Sequence, residues 1–116
     1  PELSTQQDLQ KFVVQANKPV LIDMYATMCT SCTNMMPLIQ QLAFNYSRDL
    51  NVVKINISTT EIDYQAMLEQ FGTHELDAVP TFLLIKDGKV VARLEGEQPK
   101  RAFEEIIDQC LGFVQP

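Results

Sequence analysis

Two cysteines separated by two residues, placed between an apolar run and a segment with helical spacing, constrain this chain most. Val20–Ile22 is apolar and follows Pro19, which predicts a buried strand. Cys29 and Cys32 come soon after it and open the helical segment. This order puts Cys29 at a helix N-terminus, where unpaired N–H groups and the positive end of the helix dipole favour a thiolate over a thiol. We therefore expect the rest of the chain to be a scaffold for this dithiol.

Composition limits the classes of protein to which the chain can belong. The 116 residues are 46% hydrophobic and 21% charged, which fits one globular domain spanning residues 1–116. Fifteen acidic and nine basic residues give a net charge of −6, which disfavours nucleic acid and anionic membrane surfaces as partners. No apolar run approaches the ~18 residues that a membrane span needs. Three cysteines are too few for a disulfide framework, so the cysteine pair indicates redox exchange.

Hydrophobic periodicity and turn signals predict four helices and four strands in the order αβαβαββα. A capping box formed by Ser4 and Gln7 is expected to start the first helix, and Pro37 is expected to kink the second. Asp87-Gly88 predicts a tight hairpin between the last two strands. The predicted fold is α/β, with a parallel pair of strands, an antiparallel hairpin and helices on both faces of a mixed sheet. Helices are predicted at about 5–15, 31–46, 58–71 and 100–111, and strands at 20–25, 51–57, 81–85 and 90–94.

The cysteine pair has a chemical interpretation that follows from its position. A helix start exposes the first sulfur and shields the second, so Cys29 is the expected nucleophile and Cys32 the thiol that resolves the mixed disulfide. Half of a zinc site is one alternative, but it would need His74 and Cys110, which lack a paired spacing. Two inert core thiols are the other alternative. Cys110 is expected to be a buried, unreactive thiol on the inner face of the last helix.

Polar residues near the dithiol leave alternatives open when they are judged by position alone. Asp23 interrupts an apolar strand, so it is either a general base for Cys32 with a raised pKa or an Asp that points to solvent. Lys54 could offset the charge of a buried Asp23 or point to solvent. Pro80 starts a strand, and X-Pro bonds in general favour the trans isomer. Met28 is expected on a contact surface because it adjoins Cys29.

The chain resembles the thioredoxin family over almost its whole length. The residues that carry the resemblance fall in the family's order and near its spacing: Val20 to Ala26, Cys29-Thr30-Ser31-Cys32, Pro37, Lys54, Val79-Pro80-Thr81, Asp87-Gly88 and Gly96. The chain differs from thioredoxin proper in having Met28 where that protein has Trp and Thr30-Ser31 where it has Gly-Pro. The resemblance implies a thioredoxin fold whose first strand is short or missing, because only residues 1–3 precede the first helix.

The same resemblance assigns roles to individual residues. It implies that Cys29 attacks, Cys32 resolves and Asp23 accepts a proton, with Lys54 supporting the proton relay. It also implies that Pro80 is cis and that the backbone of Val79 pairs with a bound peptide. The remaining residues expected to contact substrate are Met28, Thr30 and Ser31.

Together these observations predict a thiol–disulfide oxidoreductase that mainly reduces disulfides of protein partners. No His or Lys stands between the cysteines to hold a very low thiolate pKa, which favours a reducing potential. A disulfide isomerase or oxidase, and a redox-inert peptide-binding module, are the alternatives. The expected cofactor requirement is none beyond the Cys29–Cys32 disulfide, and no metal is expected. The expected partners are oxidised protein substrates and an upstream electron-donor protein, and the chain is expected to be a monomer.

Some features favour one branch of the family. The segments Lys18-Pro19-Val20 and Asp23 to Ala26, with a long stretch before Val79, resemble the periplasmic C-terminal domain of the transmembrane thiol–disulfide interchange protein. The sequence begins at Pro1 rather than Met, so we expect excision from a larger protein. A periplasmic or other extracytoplasmic location with a membrane tether outside this sequence is therefore expected, and the cytoplasm is the alternative.

Overall fold

A four-stranded mixed sheet forms the centre of the molecule, here described for residues 1–113 of a computed structural model. The strand order is β2-β1-β3-β4, with β1 and β2 parallel and the other two pairs antiparallel. β1 and β3 are central, and five of the six residues of each are buried, as expected for strands covered on both faces. The strands are β1 Val20–Tyr25, β2 Asn51–Asn56, β3 Thr81–Lys86 and β4 Lys89–Glu95.

Helices cover both faces of this sheet, as the sequence predicts for an α/β fold. Alternate residues of β1 face opposite sides, so Ile22 packs with α1 and α3 while Leu21 packs with α2 and α4. Phe82 and Phe103 meet edge to face in the second of these cores, with ring centroids 4.9 Å apart. The helices are α1 Gln6–Leu9, which continues into a π-helical segment Gln10–Val14, then α2 Thr30–Asn45, α3 Tyr64–Gln70 and α4 Lys100–Leu111.

In place of a full first strand, residues 1–3 make a short backbone contact with the edge of β2. Glu2 forms an isolated parallel bridge with Lys54. The N–H of Leu3 donates to the Lys54 carbonyl at 2.8 Å, and the N–H of Lys54 donates to the Pro1 carbonyl at 2.9 Å. Leu3 is 1% exposed and anchors this segment in the core. The N-terminal residues are therefore held against the sheet, close to Lys54.

One predicted helix cap and one predicted helix start are wrong. The first helix is capped by Thr5 with Asp8, rather than by Ser4 with Gln7, because the Asp8 carboxylate accepts the N–H groups of both Ser4 and Thr5. The predicted start of the third helix at residues 58–61 is instead a turn held by Asn56, whose side chain and carbonyl accept backbone N–H groups of Ser58 and Thr60.

The third helix itself begins later, at Tyr64, where the Asp63 carboxylate accepts the Ala66 N–H at 3.1 Å. Pro37 lies within α2, and the helix continues past it to Asn45. Among residues 1–113 no helix combines the length and the apolar character that crossing a bilayer requires.

Candidate active site

The two cysteines lie at the junction of β1 and α2 and form a disulfide, with Cα atoms 5.2 Å apart. Cys29 is the N-cap of α2, and its Sγ accepts the Cys32 N–H at 3.2 Å. Cys29 is half-buried, whereas Cys32 is 6% exposed. The preceding Met28 has a φ of 59° and is 99% exposed, so its side chain stands out from the surface beside Cys29. The first sulfur is thus the accessible one of the pair.

The position of Cys29 has an electrostatic consequence once the disulfide is reduced. The N-terminus of a helix carries unpaired N–H groups and the positive end of the helix dipole, and α2 is a 16-residue helix. An N–H that donates to Cys29 Sγ stabilises the charged form of the thiol more than its neutral form. Both effects lower the cost of ionising Cys29, as the sequence predicts for a helix-start thiol.

Val79 and Pro80 form the second wall beside the dithiol. The Val79–Pro80 peptide bond is cis, and the Val79 carbonyl oxygen lies 3.9 Å from Cys29 Sγ. Pro80 is buried, and the Thr81 hydroxyl donates to the Ala78 carbonyl at 2.7 Å across it. The structure therefore brings together the two segments that the sequence places fifty residues apart.

Asp23 is buried in β1 on the face covered by α2. It is 4% exposed, and among the described residues its Oδ1 has no hydrogen-bond partner. Burial raises the pKa of Asp23 to about 6, while the Lys54 ammonium acts to lower it and the Glu2 carboxylate acts to raise it. Asp23 and Lys54 are register partners in the parallel β1–β2 pair, so their side chains leave the same face of the sheet. The solvent-facing alternative for Asp23 is therefore wrong.

A cleft of about 250 Å³ joins Asp23 to the dithiol. Its lining includes Asp23, Cys32, Met28 and Lys54, together with the β1 and β2 ends. Lys54 Nζ sits 4.7 Å from the centroid of the Tyr25 ring, a cation–π contact that holds the ammonium at the cleft. The volume of the cleft is large enough for water molecules beside Asp23 and Cys32.

Glu2 lies beside this site, although no local pattern in the sequence indicates that it should. Its carboxylate accepts the Tyr25 hydroxyl and, at 3.2 Å, the Asn56 N–H. Burial and this hydrogen bond to Glu2 raise the pKa of Tyr25 to about 12, so its hydroxyl remains a donor at neutral pH. The bridge between Glu2 and Lys54 puts this carboxylate near Asp23. Only the pairing of residues 1–3 with β2 could have indicated that position.

The remaining predicted residues lie either directly after Cys29 or on a separate loop. Thr30 and Ser31 form the first turn of α2, with Thr30 exposed and Ser31 half-buried. His74 is exposed in the 73–79 loop. Within residues 1–113, the side chains grouped closely enough to ligate one metal are His74, Asp77 and Glu95, and this group includes neither cysteine of the pair. Among residues 1–113, therefore, no group of potential ligands includes the dithiol as a zinc site would.

Cys110 is half-buried on α4, rather than fully buried as predicted. Its backbone carbonyl accepts a hydrogen bond from Lys86 Nζ at 3.2 Å. Burial raises the pKa of the Cys110 thiol, with a smaller opposing effect of Lys86 and a further raising effect of Asp87. The prediction of an unreactive thiol thus rests on this raised pKa rather than on complete burial.

The arrangement of sheet, helices and paired cysteines defines a thioredoxin-fold protein whose dithiol can close and reopen. Comparison with known proteins agrees: the family model described as Thioredoxin matches residues 2–109. The chain is 35% identical over 102 residues to a thioredoxin of Haemophilus influenzae, covering 88% of this chain and 89% of that protein. It is 31% identical over 109 residues to a thioredoxin of Chlorobaculum thiosulfatiphilum, covering 94% of each.

The chain therefore belongs to the thioredoxin family. With its Cys29–Cys32 pair it is a thiol–disulfide oxidoreductase of the disulfide-reductase type. The prediction of fold class and the prediction of reaction class are both confirmed.

Proposed function

We propose that the reduced chain transfers two electrons to disulfides of partner proteins through Cys29 and Cys32. The Cys29 thiolate attacks one sulfur of the substrate disulfide, forms a mixed disulfide and releases the other substrate sulfur as a thiolate. The Cys32 thiolate then attacks Cys29 Sγ, closes the Cys29–Cys32 disulfide and releases the second substrate thiol. The substrate gains two electrons and the chain loses two, so an upstream dithiol protein must reduce it again.

The observation that carries this proposal is the difference between the two sulfurs. Cys29 is half-buried at the helix N-cap and accepts an N–H, whereas Cys32 is 6% exposed behind it. A sulfur that substrate can reach and that ionises readily suits the attacking role. A shielded sulfur three residues away suits the resolving role, because only the enzyme's own mixed disulfide comes within its reach.

Asp23 serves in this proposal as the base for Cys32. A carboxyl with a pKa of about 6 accepts a proton at neutral pH and returns it readily, which suits general acid–base exchange. The shared cleft lets a water connect Asp23 with Cys32, and Lys54 at the same cleft favours the ionised carboxylate. The rate of the resolving step should therefore rise with pH through about 6, and Asp23→Asn should remove that rise.

Substrate docks, in this proposal, along Val79 and Pro80. The Val79 carbonyl next to Cys29 Sγ can accept an N–H from an extended substrate segment that passes the dithiol. Met28, which is almost fully exposed, and Thr30 at the start of α2 offer contacts on the other side of Cys29. The flexible methionine side chain adapts to differently shaped partners.

The experiment that tests the proposed function measures reduction of insulin disulfides with dithiothreitol as donor. The wild type should catalyse it and Cys29→Ser should be inactive. Reduced Cys32→Ser, mixed with insulin after removal of dithiothreitol, should accumulate a mixed disulfide through Cys29. A wild-type chain that neither accelerates insulin reduction nor oxidises to the Cys29–Cys32 disulfide would contradict the proposal. The matched control is Cys110→Ser, which removes a thiol outside the site.

Two further measurements separate the alternatives. Equilibration with glutathione gives the reduction potential, and a strongly oxidising value would favour an oxidase. Refolding of scrambled ribonuclease tests isomerase activity, which a plain reductase lacks. Reduction without isomerisation, at a reducing potential, is the result we expect from a dithiol with Thr30-Ser31 between the cysteines.

The monomeric state, the branch and the location are proposals too. The proposed branch is that of the C-terminal domain of the transmembrane thiol–disulfide interchange protein. The segments Lys18-Pro19-Val20 and Asp23 to Ala26 support it. We propose a monomer that works in an extracytoplasmic compartment, with a tether and an electron-donor protein outside this sequence. Sedimentation tests the monomeric state, and fractionation of cells that express the full-length gene tests the location. Recovery of the full-length product in the cytoplasm would contradict the proposed location.

A further inference from the structure

The 73–79 loop, between α3 and the Val79–Pro80 bond, approaches the dithiol without regular secondary structure of its own. Its last residue contributes the Val79 carbonyl near Cys29. The N–H of Thr73 bonds to the Leu68 carbonyl, which fixes the start of the loop to α3. The loop beyond Thr73 must be held by other contacts, because an irregular segment at a binding site needs a support to keep one conformation.

Arg93 of β4 supplies that support. Its Nη1 donates to the Thr73 hydroxyl at 3.1 Å and to the His74 carbonyl at 2.8 Å, and its Nη2 donates to the Glu75 carbonyl at 2.8 Å. Two of these acceptors are consecutive backbone carbonyls of the loop. The planar guanidinium, with its donors in a fixed fork, is the side chain that can hold several such acceptors at once.

The guanidinium is itself held firmly. The Arg93 side chain is 10% exposed, and its Nε donates to Glu95 Oε2 at 3.2 Å. Nη2 lies 3.8 Å from Asp77 Oδ2, so the loop is also attracted by charge. Arg93 is the register partner of Leu83, a core residue on the α1 and α3 face, so it leaves the sheet on the side where the loop runs. Hydrogen bonds to a charged donor are stronger than neutral ones when water is largely excluded.

The loop lines a cleft of about 580 Å³ that extends to Val79, the residue whose carbonyl lies near Cys29. Ile57 and Tyr64 also line this cleft, together with the loop residues Glu75 to Val79. The position of the loop therefore sets both the width of this cleft and the distance from the Val79 carbonyl to Cys29 Sγ. A displacement of the loop changes the site where substrate backbone docks.

A metal site is the other interpretation of this region, and the contacts disfavour it. His74, Asp77 and Glu95 have potential ligand atoms within 4.8 Å of one another. The Arg93 guanidinium already pairs with both carboxylates, so a cation would have to displace it. The cluster is explained by its pairing with Arg93.

We propose that Arg93 is a positioning residue that fixes the 73–79 loop, and through it the Val79 carbonyl, for docking of protein substrates beside Cys29. The proposal rests on the proposed function for its consequence in catalysis. The guanidinium does not touch the reacting sulfurs, so Arg93 acts through the loop. Its loss should weaken substrate binding and leave the chemistry of the dithiol intact.

The test compares Arg93→Gln with Arg101→Gln. Both variants remove one positive charge, but Arg101 is 85% exposed on α4, where it pairs with Glu105. In Arg93→Gln the KM for insulin should rise about tenfold with kcat within about twofold, since several charged hydrogen bonds that hold the docking loop are lost. Reduction of 5,5′-dithiobis(2-nitrobenzoate), a small disulfide that does not need the cleft, should keep its wild-type rate. Arg101→Gln should match the wild type in both assays.

Two more variants identify which contacts matter. Arg93→Lys keeps the charge and most of the stem but loses the fork, so it should fold and raise the KM by a few fold only. Glu95→Gln removes the ion pair and leaves the loop bonds, so its KM should stay near that of the wild type. If Arg93→Gln does not fold, Arg93→Lys decides the question by the same KM comparison.

A readout independent of activity separates this inference from the proposed function. Backbone ¹⁵N relaxation should show order parameters for residues 74–79 near the rigid value of ~0.85 in the wild type and falling towards ~0.6 in Arg93→Gln. Unchanged order parameters, an unchanged KM, or an equal loss of rate with both disulfides would overturn the role of Arg93. A rigid wild-type loop in a protein that does not reduce insulin would overturn the proposed function and leave the loop support in place.

Discussion

The molecule contains two thiol environments that each have one Asp and one Lys nearby, and they differ in where those charged residues lie. Cys32 shares a cleft with Asp23 and Lys54, and Cys110 has Asp87 and Lys86 as its charged neighbours. At the first site the carboxylate is buried in a central strand. At the second, both charged residues are exposed on the β3–β4 hairpin. Burial of the carboxylate is therefore one difference between the two sites.

The two environments also lie at opposite ends of helices. Cys29 caps the N-terminus of α2, while Cys110 belongs to the last turn of α4, just before the left-handed Gly112. The positive end of a helix dipole favours a thiolate and the negative end disfavours it. Burial adds to the second effect, because it raises the pKa of Cys110. The helix dipole therefore favours ionisation of Cys29 at the N-terminus of α2 and disfavours ionisation of Cys110 at the C-terminus of α4.

The largest expected effect comes from removing each thiol in turn. Cys29→Ser should lower the rate of insulin reduction by about a thousandfold or more, because a hydroxyl is not ionised at neutral pH and cannot form the mixed disulfide. Cys110→Ser should stay within about twofold of the wild type, since it lies outside the site. Steady-state assays with dithiothreitol as donor measure both. A comparable loss in the two variants would remove the distinction between the environments.

The next largest effect is on stability and separates the two carboxylates. Asp23 has a pKa of 3.8 when unfolded and about 6 when folded, so the folded state binds the proton more tightly and stability falls as pH rises from about 4 to 6. Asp23→Asn should therefore be more stable than the wild type by roughly 2–3 kcal/mol above pH 7, with the difference vanishing below about pH 4.

Urea unfolding of the oxidised proteins between pH 4 and 8 measures this difference. Asp87→Asn is the matched control, because Asp87 has a φ of 52° that Asn tolerates and its side chain is exposed. The control should follow the wild type at every pH. If Asp23→Asn gave no gain in stability at pH 8, burial would not be what raises the pKa of Asp23.

This contrast also shows what the sequence could predict. An apolar strand followed by a thiol pair and a helix is a local pattern, so β1, α2 and the roles expected for Cys29 and Cys32 followed from nearby residues. Asp23 was left open by its position, because a strand residue points to one of two faces and only the packed α2 decides which face is buried. Local patterns thus identify the elements, and packing decides the environment.

Contacts between distant segments lay beyond the reach of local patterns. Glu2 lies at the site because residues 1–3 pair with β2. Arg93 contacts the 73–79 loop because β4 runs next to that loop. The third helix was predicted too early for a related reason, since Asn56 forms a turn with Ser58 and Thr60 in competition with a helix start. None of these contacts has a periodic signature in the chain.

A smaller effect is expected when the reduced protein reacts with iodoacetamide at pH 7. Cys29 should be alkylated about ten times faster than Cys110 or more, because thiolate is the reacting species and the helix N-terminus favours it only at Cys29. Mass spectrometry of peptides at a series of times gives both rates in one sample. Equal rates would show that the α2 N-terminus does not activate Cys29.

The smallest expected effect tests the lysine beside Cys110. Lys86 Nζ donates to the Cys110 carbonyl, and its charge partly offsets the rise that burial causes in the pKa of the thiol. Lys86→Gln should therefore raise that pKa further and slow alkylation of Cys110 at pH 8.5 by about twofold, a size typical of an exposed charge pair. Lys89→Gln is the matched control, because Lys89 lies on the same hairpin but donates to the Gln70 carbonyl.

Since salt screens exposed charges, the effect of Lys86 should disappear in 1 M KCl, whereas the slow reaction of Cys110 relative to Cys29 should persist. Persistence of the Lys86 effect at high salt would mean that the lysine acts through the packing of the α4 C-terminus and not through its charge.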